Sequence, residues 1–194
     1  MEKNQKLIPL TSQLNKQFCH LFSLFEKNKT WTDIEKWLFK IEKALKDYPS
    51  PFITDKITLY KRLAQCLNKE LPQSVHLASL RVYQQIFKNI KNNCQGLLSD
   101  YKAVFCKDLG LFSIGLFPYC KYSGNNIEFF INLIREFYLP VQKELVQCGR
   151  GLISCFLMAI KGKKGKEKDQ LEKVLFDIKM VIGRRQSFLL GFCG

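Results

Sequence analysis

Between residues 56 and 90 the chain reads KITLYKRLAQCLNKELPQSVHLASLRVYQQIFKNI, and the apolar positions fall on more than one side of each of two helices. In the first, Ile57, Tyr60, Ala64 and Leu67 share one stripe, while Leu59, Leu63 and Cys66 form a second about 100° away around the helix. Lys61, Arg62, Gln65 and Asn68 take the remainder. In the second helix, Val75, Ala78, Val82, Ile86 and Ile90 make one stripe, and Leu80, Tyr83 and Phe87 the other. A helix that is apolar on two sides must be covered twice, which is how helices stack in an α-solenoid. The patterning therefore predicts burial of Leu63, Leu67, Ala78, Val82, Ile86, Leu133, Phe137 and Leu157.

Extended along the chain, the same periodicity predicts about eight helices, and nothing alternates with period two over a convincing length. A first helix covers 11–26. Thr32 with Glu35 makes a capping box for a second, which runs to Asp47 and turns Ile34, Trp37, Leu38, Ile41 and Leu45 inward. The YPSP turn at 48–51 ends it, because neither Pro49 nor Pro51 continues a helix. Thr54 is expected to cap the third helix and Ser74 the fourth. A loop after Ile90 leads to a single helix over 99–117, and another over 126–139 carries Phe130, Leu133, Ile134 and Phe137 inward. Pro140 fits the first turn of the next helix, which becomes wholly apolar at 152–160 and should be central. The last helix covers 166–182, with Arg184 and Arg185 at its far end. No fixed-period repeat is evident. The expected fold is all-α, a right-handed stack of antiparallel helical hairpins forming a HEAT/armadillo-like α-solenoid, as one domain over 1–194.

The string KRLAQCL, followed by a Leu-Pro turn, a Val-His step and VYQQIFKNI, resembles the N-terminal domain of the Dopey family of membrane-traffic proteins. GLFPYC at 115–120, EFYLPVQKELVQCGRGLISCFL at 136–157 and Leu-Glu-Lys-Val at 171–174 follow in the same order. On this resemblance Arg62, Leu63, Cys66, Leu67, Phe117, Pro118 and Pro140 are structural residues of the family motifs. The stem of Arg62 is expected to pack along a neighbouring helix while its guanidinium finds a carboxylate or helix-end carbonyls. The resemblance implies the start of a much longer protein and a non-catalytic scaffold in endosome–Golgi vesicle traffic, peripheral to those membranes. It further implies partnership with a large Golgi-associated scaffold related to Arf exchange factors, and a link to a kinesin adaptor. Residues 91–108 are longer than the resemblance leads one to expect, as a lineage-specific insertion would be.

Composition narrows the classes of function. Lys plus Arg exceed Asp plus Glu by 31 − 17 = 14, which favours anionic lipid, nucleic acid or an acidic protein face without choosing among them. Apolar residues at 46%, with 16 Phe, predict an ordered chain. The apolar runs at 109–120 and 151–160 are too short to span a bilayer, and MEKNQKLIPL lacks the core of a secretory signal. A cytoplasmic setting follows, with the eight cysteines as reduced thiols. Cys66, Cys106, Cys120 and Cys155 lie in apolar runs, where a thiol behaves as a small hydrophobe.

No catalytic residue, metal site or cofactor is expected. There is no C-x-x-C, and Cys19-His20 has no second ligand at zinc-finger spacing. His76, one step into a helix, reads as a surface or satisfied histidine. No G-x-S-x-G occurs, and the glycine pairs at 110 and 115 and at 149 and 151 fail the dinucleotide pattern. The run KGKKGKEK at 161–168 lacks the first glycine, the hydroxyl residue and the preceding strand of a phosphate-binding loop. Its Lys161, Lys163, Lys164, Lys166 and Lys168 are candidate contacts for an anionic surface, weak and salt-sensitive because no exposed apolar stripe is expected beside them. The same run also reads as a solvated connection. The alternative function is a basic helical-repeat module that binds nucleic acid. Net charge alone supports it, since neither regularly spaced reading side chains nor aromatics interleaved with basic residues recur.

Overall fold

The computed structural model of the chain describes residues 2–53, 55–93, 98–122 and 124–182. Among the described residues there are nine α-helices and no strand. The fold is all-α, as the two-sided stripes predict. The helices fall into two compact units, Met1–Tyr119 and Cys120–Gly194.

The first unit contains α1 (Glu2–Phe25), α2 (Trp31–Asp47), α3 (Lys56–Cys66), α4 (Gln73–Asn93), α5 (Leu98–Lys107) and α6 (Leu109–Tyr119). Here α2 lies on α4 and α3 lies on α6. Both pairs run in the same direction. Asn89 donates its side-chain N–H to the Leu45 carbonyl at 2.8 Å, joining the C-terminal halves of α2 and α4, whereas Glu35 and Ser74 near their starts line a common groove. At the other pair, Lys56 and Asp108 form an ion pair at 2.5 Å where the two helices begin, and Ala64 meets Gly115 further along. The hairpins α2–α3 and α4–α6 are therefore stacked helix on like helix, with α5 as an additional piece between α4 and α6. This solenoid-like stacking is why α3 and α4 each need a second apolar stripe.

Aromatic side chains from α3 to α6 fill the centre of this unit. The Phe112 ring stands edge-on to Tyr60 at 4.9 Å and to Phe87 at 5.0 Å, and stacks on Phe105 at 4.9 Å. Such tilted and offset pairs bring the positive ring edge to a negative face. Trp37 anchors α2 to α1 by donating to the Leu21 carbonyl at 2.7 Å.

Several local expectations are corrected. The first helix begins at Glu2, not at 11. The capping box of α2 is Thr30 with Asp33 rather than Thr32 with Glu35. Thr30 is extended at φ −126° and ψ 159°; its hydroxyl accepts from the Asp33 N–H at 3.3 Å, and Asp33 Oδ2 accepts from the Thr30 N–H at 3.2 Å. Aspartate closes the same reciprocal pair that glutamate does. Thr54 lies outside the described residues, and Asp55 caps α3 by accepting from the Thr58 N–H at 3.4 Å. Ser74 sits inside α4, whose first turn is opened by the Pro72 carbonyl accepting from Val75 and His76. The helix expected over 99–117 is two helices, because α5 closes on Asp108 and the Asp108 carbonyl then opens α6. Lys56 holds that aspartate from another helix, so the break is a tertiary effect.

The second unit holds 3₁₀ turns at Cys120–Tyr122 and Gly124–Asn126, α7 (Ile127–Leu133), a π-helical turn (Ile134–Tyr138), a 3₁₀ stretch (Leu139–Leu145), α8 (Val146–Lys161) and α9 (Gly165–Ile182). The helix expected over 126–139 thus changes pitch partway. The Leu139 N–H reaches back five residues to the Ile134 carbonyl, a widening next to Pro140, which has no N–H and would crowd a carbonyl four residues back. Pro140 itself lies in the 3₁₀ stretch, not in the first turn of α8. Gln142 follows with φ 54° and ψ −114°, and α8 starts only at Val146.

Of the predicted core, Leu63, Leu67, Val82, Ile86, Leu133 and Phe137 are buried, whereas Ala78 and Leu157 are half-buried. Ala78 faces the groove between α2 and α4. Leu157 lies beside Met158, which is 48% exposed, so α8 is not enclosed on all sides although its 152–160 run is apolar. Ile57, assigned to an apolar stripe, is 65% exposed. It sits in the first turn of α3, where side chains lean past the helix end.

Candidate interaction surfaces

In the KRLAQCL segment, α3 sends Leu63, Cys66 and Leu67 inward, all buried. Burial pushes the Cys66 thiol up to about 12, keeping it protonated and unreactive. Arg62 turns the other way. Its guanidinium lies over the Phe25 ring, 4.5 Å from the centroid, donates to Gln65 Oε1 at 3.0 Å and forms an ion pair with Glu26. The segment thus ties α3 to the end of α1 through one cation, by stacking and pairing together. Phe117 is buried, and Pro118 lies exposed in the last turn of α6, next to the 3₁₀ turn that begins at Cys120. Pro140 is half-buried.

Five lysines of the 161–168 run do not form a loop of uniform charge. Lys161 ends α8, Gly165 takes φ +57° to reverse the chain, and Lys166 and Lys168 already belong to the first turn of α9. Lys163 pairs with Glu167 at 2.9 Å, and Lys168 with Glu172 at 3.6 Å. Lys161, Lys164 and Lys166 are exposed and make no ion pair among the described residues. Further along α9, eight or more residues past Lys168, Phe176 is 61% and Met180 51% exposed. They are one turn apart on one face, the spacing that marks a stripe, and that signal was present in the sequence. Arg184, Arg185 and the rest of 183–194 lie outside the described residues.

The residues considered for chemistry have structural surroundings. His76 is buried; its Nε2–H donates to the Asn68 carbonyl at 2.7 Å, and its ring meets Tyr119 edge-on at 5.1 Å. Burial raises the Cys120 thiol to about 12 as well. No cluster of His, Cys, Asp and Glu able to hold a metal ion occurs among the described residues. A cavity of about 230 Å³ in the first unit is walled largely by Phe52, Tyr60, Ile86 and Phe112, with the Lys56–Asp108 pair at its side. Its lining suits an apolar group rather than proton transfer. Among the described residues no helix is long and apolar enough to cross a membrane.

Comparison with known proteins gives these surfaces their context. The chain is 30% identical to Protein DOP1B of Xenopus laevis over 163 residues, covering 82% of this chain and 7% of that protein. It is 32% identical to Protein pad-1 of Caenorhabditis elegans over 155 residues, covering 79% of the chain and 6% of the relative. A Protein DOP1 homolog of Drosophila melanogaster is 30% identical over 138 residues, 70% of the chain and 5% of that protein. The chain therefore spans less than a tenth of the length of these relatives. No solved structure matches it. The family described as Dopey, N-terminal, matches residues 9–193, across both helical units and every motif residue above, and the chain belongs to that family.

Proposed function

We propose that this chain is a non-catalytic, helical protein-interaction module of membrane traffic between endosomes and the Golgi, the first domain of a longer scaffold. Family membership carries the reading, together with the like-on-like stacking of α2 on α4 and α3 on α6, which leaves long helix faces for partners. The proposed partners are a large Golgi-associated scaffold and a kinesin adaptor, with the protein peripheral to Golgi and endosome membranes on the cytoplasmic side. Lys161, Lys164 and Lys166, with the pairs at Lys163 and Lys168, would add weak contact with anionic lipid. Net positive charge serves such contact without requiring nucleic acid.

The test is to express the tagged chain in cells and fractionate membranes against Golgi and endosome markers, with proximity labelling to read its neighbours. In parallel, the purified chain is titrated with single- and double-stranded RNA at two salt concentrations. Enrichment with Golgi and endosome membranes and labelling of traffic proteins is the expected outcome. A uniform cytosolic distribution, combined with tight RNA affinity that falls steeply with salt, would overturn the reading in favour of nucleic-acid binding.

A further inference from the structure

The groove between α2 and α4 is open from Glu35 to Glu42 on α2 and from Ser74 to Arg81 on α4, with a volume of about 300 Å³. Its middle is apolar: Phe39 is 65% exposed, and Leu77 and Ala78 are half-buried. Its ends are charged. Glu35 lies one turn before Phe39; one of its carboxylate oxygens is buried against the protein with no hydrogen-bond partner among the described residues. At the other end are Glu42, paired with Lys46 at 2.5 Å, and Arg81, which is exposed and makes no ion pair among the described residues. Because α2 and α4 run in the same direction, the order along the groove is acid, apolar floor, base. The Phe39 ring, with Leu77 and Ala78 beside it, forms an apolar floor between an acidic and a basic end, and an occupant of complementary pattern covers it.

We infer that this groove is a docking site for an amphipathic helical segment of a protein partner. The ligand carries a basic residue at one end, large apolar residues in the middle and an acidic residue at the other. From Glu35 to Glu42, beside Arg81, is seven residues of helix, about 10.5 Å. A helix laid along the groove therefore presents its basic and acidic residues seven positions apart, with apolar residues three and four positions from the basic one. The charges fix register, and burial of Phe39 supplies affinity. The inference rests on the interaction-module reading above and gives it a site.

The probe is a fluorescein-labelled helical peptide of that pattern, Arg at i, Leu at i+3 and i+4, and Glu at i+7, titrated by fluorescence anisotropy against the whole chain. Companion peptides carry Arg at both ends, Glu at both ends, or Ser in place of the leucines. The mixed-charge peptide is expected to bind about tenfold more tightly than any companion, since each sets a like charge against one end of the groove or leaves the floor uncovered. Phe39→Asp, at an exposed position that does not threaten folding, is expected to abolish this preference. Glu35→Arg is expected to shift preference toward the peptide with Glu at both ends. Equal binding of all four peptides, or an unchanged preference in Phe39→Asp, overturns the inference. So does self-association that Phe39→Asp abolishes with no peptide preference, which would make the occupant a second copy of the chain. Membrane fractionation of Phe39→Asp separates the levels of argument. If the variant still enriches with Golgi and endosome membranes while no peptide preference exists, this site is wrong and the functional reading stands.

Discussion

Gly115→Ala sets two known effects against each other at one atom. Replacing a helical glycine with alanine removes backbone freedom from the unfolded chain and by itself stabilises by about 0.5 to 1 kcal/mol. At residue 115, however, a Cβ would stand 2.8 Å from Ala64 Cα, 2.9 Å from Ala64 Cβ and 3.0 Å from the Tyr83 hydroxyl. Two of these belong to α3 and cannot swing aside, so α6 must move off α3, and overpacking of this kind costs about 1 to 3 kcal/mol. The net expectation is a loss of about 1 to 2 kcal/mol, with overpacking in the upper part of its range because the new atom meets backbone. Gly110 lies in the same helix with nothing among the described residues within 4 Å of its would-be Cβ, so Gly110→Ala keeps the favourable part alone. Both tryptophans, Trp31 and Trp37, lie in α2, so their fluorescence in a urea titration reports the first unit. With a slope of about 2 kcal/mol per M, Gly115→Ala should lower the midpoint by about 0.5 to 1 M, and Gly110→Ala should hold or raise it. Adding Ala64→Gly to Gly115→Ala should recover part of the loss, a coupling of at least about 0.5 kcal/mol. A midpoint for Gly115→Ala at or above that of the native chain would refute the close approach of α3 and α6.

Three further outcomes follow from the same geometry. Arg62→Ala should destabilise the first unit by about 1 to 2 kcal/mol in the same urea assay, through the lost Phe25 stacking and the Glu26 and Gln65 contacts, with Arg62→Lys restoring less than half; full rescue by Lys would reduce the site to charge alone. Under native conditions a maleimide should modify exposed Cys19 rapidly and leave Cys66 and Cys120 unmodified until denaturant is added, because burial holds both thiols up at about 12; mass mapping of the labelled peptides reads the result, and early labelling of Cys66 would contradict the packing of α3. The Thr30 hydroxyl, with backbone N–H groups, holds the Asp33 carboxyl below its ordinary value of 3.8, so its contribution to stability is present above that value and fades as pH falls through the lower folded one; the difference in urea midpoint between the native chain and Asp33→Asn should shrink from pH 6 toward pH 3, and a constant difference would show that the capping box carries no charge dependence.

How much of this was legible in the sequence depends on how local the physics is. Helix type, the inward face of α4 and the burial of Leu63, Cys66 and Leu67 follow from periodicity, because an amphipathic stripe is written in residue identity alone. The two stripes on α3 and α4 even required stacked neighbours, and the stacks of α2 on α4 and α3 on α6 supply them. The family motifs were equally legible, being strings of residues. Tertiary structure decided what depends on residues far apart in the chain. The break at Asp108 was hidden because Lys56, which holds it, lies on another helix. The pitch change at Ile134–Tyr138 came from a proline that read as a helix start. Arg62 found Glu26 and Phe25 only once α3 lay against the end of α1. The groove floor of Phe39, Leu77 and Ala78 is scattered over α2 and α4 and becomes one surface only when those helices lie side by side. Sequence sets which faces are apolar, since that depends on each side chain's own transfer free energy; which of those faces stay open is decided by the number of neighbours the packed helices leave around them.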